Sequence, residues 1–192
     1  MRNAAVERKT KETDIFVALD LDGGKVSIET GIGFFDHMLT ALAVHSGFGL
    51  TIRAKGDLEV DCHHTVEDVG IVLGQALSKA LGNKSGIKRY SSFFIPMDEA
   101  LAFCSVDISG RPFLVFDAVM PQAVVGEFDC CMTEEFFRAL AFNSGITLHI
   151  KSMYGANSHH IIEAIFKAVA HALSSASEKT SSGEVLSTKG VL

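Results

Sequence analysis

Apolar and polar residues alternate at the start of this chain and later fall into helical spacing. Ile15, Val17, Leu19 and Leu21 stand at period two, the mark of a strand with one buried face. Asp22-Gly23-Gly24-Lys25 supplies a turn able to take positive φ, and Val26 and Ile28 begin a return strand, so the stretch predicts a hairpin. Phe35, Met38, Leu39, Leu42 and Ala43 recur at helical spacing and predict a helix closed by Gly47. A strand at 50–54 and a turn at Gly56-Asp57 follow. From Asp61 to Leu81, Val66, Val69, Val72, Leu73, Ala76, Leu77 and Ala80 predict a second helix, stopped at Gly82-Asn83.

The second half runs through similar signals. Strands are expected at 92–95 and 100–108, a turn at Ser109-Gly110-Arg111-Pro112, and a return strand at 113–116, again a hairpin. A helix near 133–142, a strand at 146–150 and a helix from Ser158 to Leu173 complete it. Side by side, DHMLTALAVHSGFGLTI (36–52) and EEFFRALAFNSGITLHI (134–150) share Ala-Leu-Ala, Ser-Gly and a closing Leu-x-Ile in register. The expectation is one domain over 1–192, an α/β fold of α+β type. It is duplicated as β-β-α-β-α halves (about 8–83 and 90–176), with a C-terminal tail at 177–192.

The polar residues at the two helix starts carry the chemistry. His63, His64 and Glu67 open one helix, and His159, His160 and Glu163 repeat that spacing half a chain later. Residues at i,i+3 and i,i+4 share a helix face, so each Glu lies within reach of its histidines. Adjacent histidines point about 100° apart, too far for both to grip one ion, which favours two metals. Isolated histidines such as His45, His149 and His171 are better read singly as ordinary core or surface groups. Superposing the halves puts Glu135 where His37 stands, so the candidate ligands are His37, His63, His64, Glu67, Glu135, His159, His160 and Glu163. They make two sites of four ligands each, with imidazole and carboxylate donors that suit Mn, Fe, Co or Zn and leave positions open for substrate or water. Lys167, one turn beyond Glu163, would reach an anion near the metals.

Composition narrows the partners. A net charge of −6 argues against general affinity for nucleic acid or anionic membrane. No apolar run approaches the roughly 20 residues of a membrane helix, and MRNAAVERKTKET is too polar for a secretory signal, so the expected location is the cytoplasm. The four cysteines lack CxxC spacing and read as reduced thiols.

With RKTKET, TGIGFFDHML, HHTVED, SHHIIEAIFKA, IPMDEAL followed by DISGRP, and STKGVL in view, the chain closely resembles the imidazoleglycerol-phosphate dehydratase family from about Arg8 to Leu192. The resemblance implies helices packed between two sheets, a homo-oligomeric 24-mer built from trimers, and two Mn²⁺ per active site, other divalent ions being alternatives, in sites shared between subunits. It implies a hydro-lyase of histidine biosynthesis that turns imidazole glycerol phosphate into imidazole acetol phosphate through a metal-bound imidazolate. The eight candidates above match the family's ligands, Glu135 at a position held by His or Glu. By the same resemblance Glu12, His37 and His45 bind substrate, and Arg89, Arg111, Lys167, Ser187, Thr188 and Lys189 bind its phosphate. The tail from Ser182, which by composition alone would fray, folds over substrate in this family. One departure is Ala41, where many relatives carry Gln.

The proton to be moved lies on a carbon with no adjacent carbonyl, so the ring has to take up charge before a carboxylate removes it. Glu12, Glu67 and Glu163 are all candidates for that carboxylate. A dinuclear metallohydrolase, or a cage whose ions only hold subunits together, would carry similar ligand shells.

Overall fold

The structure, a computed structural model, describes residues 2–190. Met1, Val191 and Leu192, which belong to the expected domain and tail, lie outside the described residues. The first half runs β1 (Asn3–Lys9), β2 (Thr13–Asp20), β3 (Val26–Glu29), α1 (Gly33–Ser46), β4 (Gly49–Gly56) and α2 (His63–Leu81). The second runs β5 (Tyr90–Met97), β6 (Ala100–Asp107), β7 (Phe113–Asp117), a short β8–β9 pair (Val124–Val125 and Phe128–Asp129), α3 (Met132–Ser144), β10 (Thr147–Tyr154) and α4 (Ser158–Ser177). The two four-stranded sheets are ordered β1-β2-β4-β3 and β5-β6-β10-β7, the same connectivity in each. The helices lie between them: α2 packs on β1, β2 and β4, α4 on β5, β6 and β10, and α2 meets α3 as α1 meets α4.

The α/β class stands, with two differences from the sequence reading. Three strands precede α1, because the polar stretch 3–9 forms edge strand β1, paired antiparallel to β2, and five precede α3, because β8 and β9 pair after β7. Neither expected hairpin at 15–28 or 100–116 forms. β4 lies between β2 and β3, with β3 parallel to it from Val26↔Leu50, and β10 likewise separates β6 from β7. A strand followed by a helix and another strand can return parallel, which a tight turn cannot achieve. The glycines at 23 and 24 therefore pass the chain beneath the start of β4: a Cβ on Gly49 would sit 2.6 Å from the Gly23 carbonyl oxygen. The Leu50 amide closes this approach by donating to the Lys25 carbonyl.

The inner strand faces differ in size between the halves: β2 carries buried Ile15, Val17 and Leu19, and β6 carries buried Ala100, Ala102 and Cys104. Gly70 and Gly74 bring α2 against α3. A Cβ on Gly70 would lie 2.8 Å from the Phe136 carbonyl oxygen, and one on Gly74 2.8 Å from Asn143 Cβ and from the Leu140 carbonyl oxygen.

At an exposed helical position, Gly→Ala gains about 1 kcal/mol. At Gly70 and Gly74 the expected sign is reversed, because overpacking costs about 1–3 kcal/mol per site. Thermal unfolding of the Gly70→Ala/Gly74→Ala double variant should show a lowered midpoint; a raised one would mean that α2 and α3 separate without cost.

Candidate active site

Both histidine pairs stand on the first turn of a helix held by the same local device. The Asp61 side chain accepts from the His63 amide at 2.7 Å, and the Asn157 side chain accepts from the His159 amide at 2.9 Å. Such a side-chain acceptor satisfies one of the otherwise unpaired amides of a helix start. Each helix therefore begins at a fixed residue, and its histidine pair at a fixed angle.

On α4 that angle brings three expected ligands together. His37, His159 and Glu163 each place one ligand atom within 4.8 Å of the others. His37 Nε2 and His159 Nε2 lie 3.5 and 3.2 Å from Glu163 Oε2. Phe34 meets the His159 ring edge-on at 5.0 Å and limits its rotation. The Glu163 side chain is only 9% exposed, and Lys167 Nζ bonds its other oxygen at 2.6 Å. Burial alone would raise the Glu163 carboxyl, but the hydrogen bond and charge of Lys167, with His37 and His159, hold it below the ordinary carboxylate value. Two imidazoles and an ionised carboxylate facing one point form a donor set that fits a divalent ion such as Mn²⁺ or Zn²⁺.

The equivalent residues of the other half, His63, Glu67 and Glu135, are more loosely arranged. His63 Nε2 is 3.7 Å from Glu67 Oε2, and Glu135 shares with His63 a pocket of about 490 Å³. Arg138 stands 3.7 Å from Glu135. With neutral histidines this cluster has one more negative charge than the other, each cluster having one basic neighbour. Among the described residues, no second group of three reaches the spacing of the first.

His64 and His160 turn away from both clusters. His64 Nδ1 faces the Asp57 carboxylate at 3.0 and 3.2 Å, and His160 Nδ1 faces Glu99 at 2.7 Å. These hydrogen bonds are the largest influence on each ring and raise its pKa. The bond from His160, then that from the Ala156 amide, push the Glu99 carboxyl down to about 2. Sequence reasoning missed both carboxylates. Asp57 looks like a plain turn residue, whereas Glu99 had a signal, since it directly precedes β6 as Glu12 directly precedes β2. Glu12 itself is exposed, 3.9 Å from His64 Nδ1. Asp68, beside the ligands in sequence, is buried and accepts from Arg8 and Thr13, tying α2 to its sheet.

The expected phosphate group divides in two. Lys167 belongs to the Glu163 cluster, while Arg89, Arg111, Ser187, Thr188 and Lys189 line a separate cleft of about 800 Å³. Arg89 is no solvated charge: it is 7% exposed, grips Asp107 with Nε at 2.8 Å and Nη2 at 3.2 Å, and donates through Nη1 to the Leu186 carbonyl. Gly86 and Thr180 add backbone bonds, Gly86 N to Glu184 O and Thr180 N to Gly86 O, so the tail is tied down as far as Leu186. The Arg111 side chain remains 66% exposed, 3.6 Å from Asp107. His45 packs on His171 with ring centroids 5.4 Å apart; burial first, then the Lys167 charge, lower its pKa and favour the neutral ring. Ala41, 8% exposed, lies between His37 and His45 on α1. Among the described residues, no helix is long and apolar enough to cross a membrane.

Comparison with known proteins places this geometry. The sequence profile described as imidazoleglycerol-phosphate dehydratase matches residues 30–173. Proteins of that name from Acetivibrio thermocellus and Clostridium kluyveri are 58% and 59% identical over 193 and 194 residues, covering 100% of this chain and 99% and 100% of their own. The crystal structure of the Staphylococcus aureus imidazoleglycerol-phosphate dehydratase superposes with a TM-score of 0.85 at 44% identity, over 93% of this chain and 99% of that one. The Pyrococcus furiosus structure does so with a TM-score of 0.85 at 41% identity, over 97% and 100%. With its likeness to these relatives running over nearly all of its length, this chain belongs to the imidazoleglycerol-phosphate dehydratase family.

Proposed function

We propose that this chain dehydrates imidazole glycerol phosphate to imidazole acetol phosphate in histidine biosynthesis, using two divalent ions per active site. His37, His159 and Glu163 would hold one ion, and His63, Glu67 and Glu135 the other. His64 and His160 would complete the shells of neighbouring copies. The observation that carries the reading is the cluster of His37, His159 and buried Glu163, in a chain whose relatives bear the name of that activity.

Bound ions would supply Lewis-acid stabilisation of an ionised imidazole ring, whose electrons can then expel hydroxide from the adjacent carbon. The proton on the middle carbon goes to a carboxylate. Glu163 is committed to Lys167 and two histidines, and Glu67 stands beside His63. Glu12 is exposed, and its carboxylate makes no hydrogen bond among the described residues, so we assign the proton to Glu12. Lys167 keeps Glu163 ionised as a ligand, while Arg111, Ser187, Thr188 and Lys189 face the phosphate from a tail that Arg89 anchors.

Distance supports active sites shared between subunits in a large homo-oligomer. The Arg89 amide bonds the Ala176 carbonyl at the far end of α4 from His159. At about 1.5 Å per residue that end is about 25 Å from the ligand cluster. The chain of atoms from ring to phosphate, at about 1.5 Å per bond, spans less than half of that. One subunit cannot bind both ends of its own substrate, so its tail cleft has to meet the cluster of another.

Four outcomes are expected. Glu12→Gln keeps its metal while turnover falls roughly 10²- to 10⁴-fold; metal loss or unchanged turnover would remove Glu12 from this role. Glu163→Gln, by contrast, loses metal as well, as metal analysis of the purified protein would show. Protein stripped with a chelator loses turnover of imidazole glycerol phosphate and regains it with Mn²⁺, as small species return to a large assembly in size-exclusion chromatography; no turnover with any divalent ion would end the enzyme reading. Finally, Glu163→Gln and Arg111→Ala subunits, each nearly inactive alone, recover activity when reassembled together, because some mixed sites draw an intact cluster and an intact cleft from different chains. Mixed assemblies that stay inactive would refute sharing.

A further inference from the structure

Glu99 and Asp57 are the carboxylates that face the two histidines outside the clusters, and neither belongs to an expected ligand set. Glu99 is itself held firmly. Its Oε1 accepts from the Ala156 and Asn157 amides at 3.1 and 2.9 Å, which leaves Oε2 on His160 Nδ1 at 2.7 Å. The β5–β6 turn is thereby locked to the loop that starts α4. In the other half Asp57, in the loop between β4 and α2, presents both oxygens to His64 Nδ1.

An ionised carboxylate accepts hydrogen bonds and cannot donate them, so the shared proton belongs to the ring nitrogen. A neutral imidazole has one N–H, and with that proton on Nδ1 the lone pair lies on Nε2. We propose that Asp57 and Glu99 are positioning residues, each fixing the proton of its histidine on Nδ1 and so leaving Nε2 of His64 and of His160 as the ligand atom for a divalent ion. The inference rests on the reading that these two histidines bind metal. Carboxylates behind metal-bound histidines act in this way by setting tautomer and ring orientation together.

The duplication sharpens the argument. Glu12 and Glu99 occupy equivalent places, each directly before the second strand of its half. Glu99 is bonded to its histidine, whereas Glu12 stands 3.9 Å from His64, beyond hydrogen-bond distance. Asp57 has taken over in the first half what Glu99 does in the second. Of two equivalent carboxylates, one is fixed behind a histidine and the other is left free to meet substrate.

The test is Mn²⁺ affinity of the full-length protein, measured by competition with a chelator after metal removal, together with ¹⁵N shifts of the histidine rings in the metal-free state. Neither readout depends on turnover. In Glu99→Gln the two backbone amides keep the side-chain oxygen, the NH₂ turns to Nδ1, and the ring of His160 is forced to carry its proton on Nε2. Asp57→Ala removes the acceptor from His64 Nδ1, so that its ring is no longer held in the Nδ1–H form, and reports independently if one variant folds poorly. Each is expected to shift its ring towards the Nε2–H form and to weaken Mn²⁺ binding about 10- to 100-fold. Unchanged affinity or an unchanged tautomer, with His160→Ala still losing metal, overturns the positioning role and leaves the ligand reading intact. If His160→Ala keeps its full complement of Mn²⁺, the ligand reading falls and the positioning role with it.

Discussion

Adjacent residues on an α-helix point about 100° apart, and the chemistry of this chain is organised by that angle. A histidine pair at a helix start cannot converge on one ion. His159 turns to His37 and Glu163, and His160 turns away from them to Glu99. In the other half His63 faces Glu67 while His64 faces Asp57. Each helix thus gives one histidine to a cluster in its own chain and sets the other on a carboxylate outside that cluster. In the reaction proposed above, a small substrate would not bridge from the cluster to the tail cleft within one subunit, so assembly and catalysis would be a single requirement.

The duplication is kept in topology and relaxed in composition. Sheet order, helix order and the side-chain acceptors at Asp61 and Asn157 repeat. The inner face of the second strand carries Ile15, Val17 and Leu19 in one half and Ala100, Ala102 and Cys104 in the other. Charge changes too. Glu135 takes the place of His37, and Arg138 stands beside Glu135 as Lys167 stands beside Glu163. Similar clusters with different charge would hold cations with different affinity, so the two metal positions proposed above would fill unequally.

Local sequence carried the helices, the repeated ligand spacing and the α/β class, because these depend on periodicities within a few turns. It did not carry strand neighbours. Gly23-Gly24 has the composition of a hairpin turn, and only the packing of β4 against it, with no room for a Cβ at Gly49, shows where the chain goes. Asp57 and Arg89 were illegible for the same reason. One looks like a turn residue and the other like a surface charge, until partners seven and eighteen positions away, His64 and Asp107, define them. Glu99 was legible in principle, since the repeat that paired His63 with His159 also pairs Glu12 with Glu99.

Arg89 is a buried cation that anchors the tail along the proposed phosphate cleft. Its backbone takes a positive φ of 75°, a conformation uncommon for a non-glycine residue that persists only where surrounding contacts enforce it. Asp107 neutralises its charge at two points, which makes burial tolerable. Its third nitrogen, Nη1, donates to the Leu186 carbonyl, and its guanidinium lies 4.5 Å above the Tyr90 ring. Because the tail is gripped by its backbone, the side chains of Ser187, Thr188 and Lys189 remain available to the cleft. Asp107 also stands 3.6 Å from Arg111, so one carboxylate links the anchored arginine to the exposed one. A phosphate entering this cleft would compete with Asp107 for Arg111 but not for Arg89, whose contacts are already made. The tail would then stay in place while Arg111 changes partner.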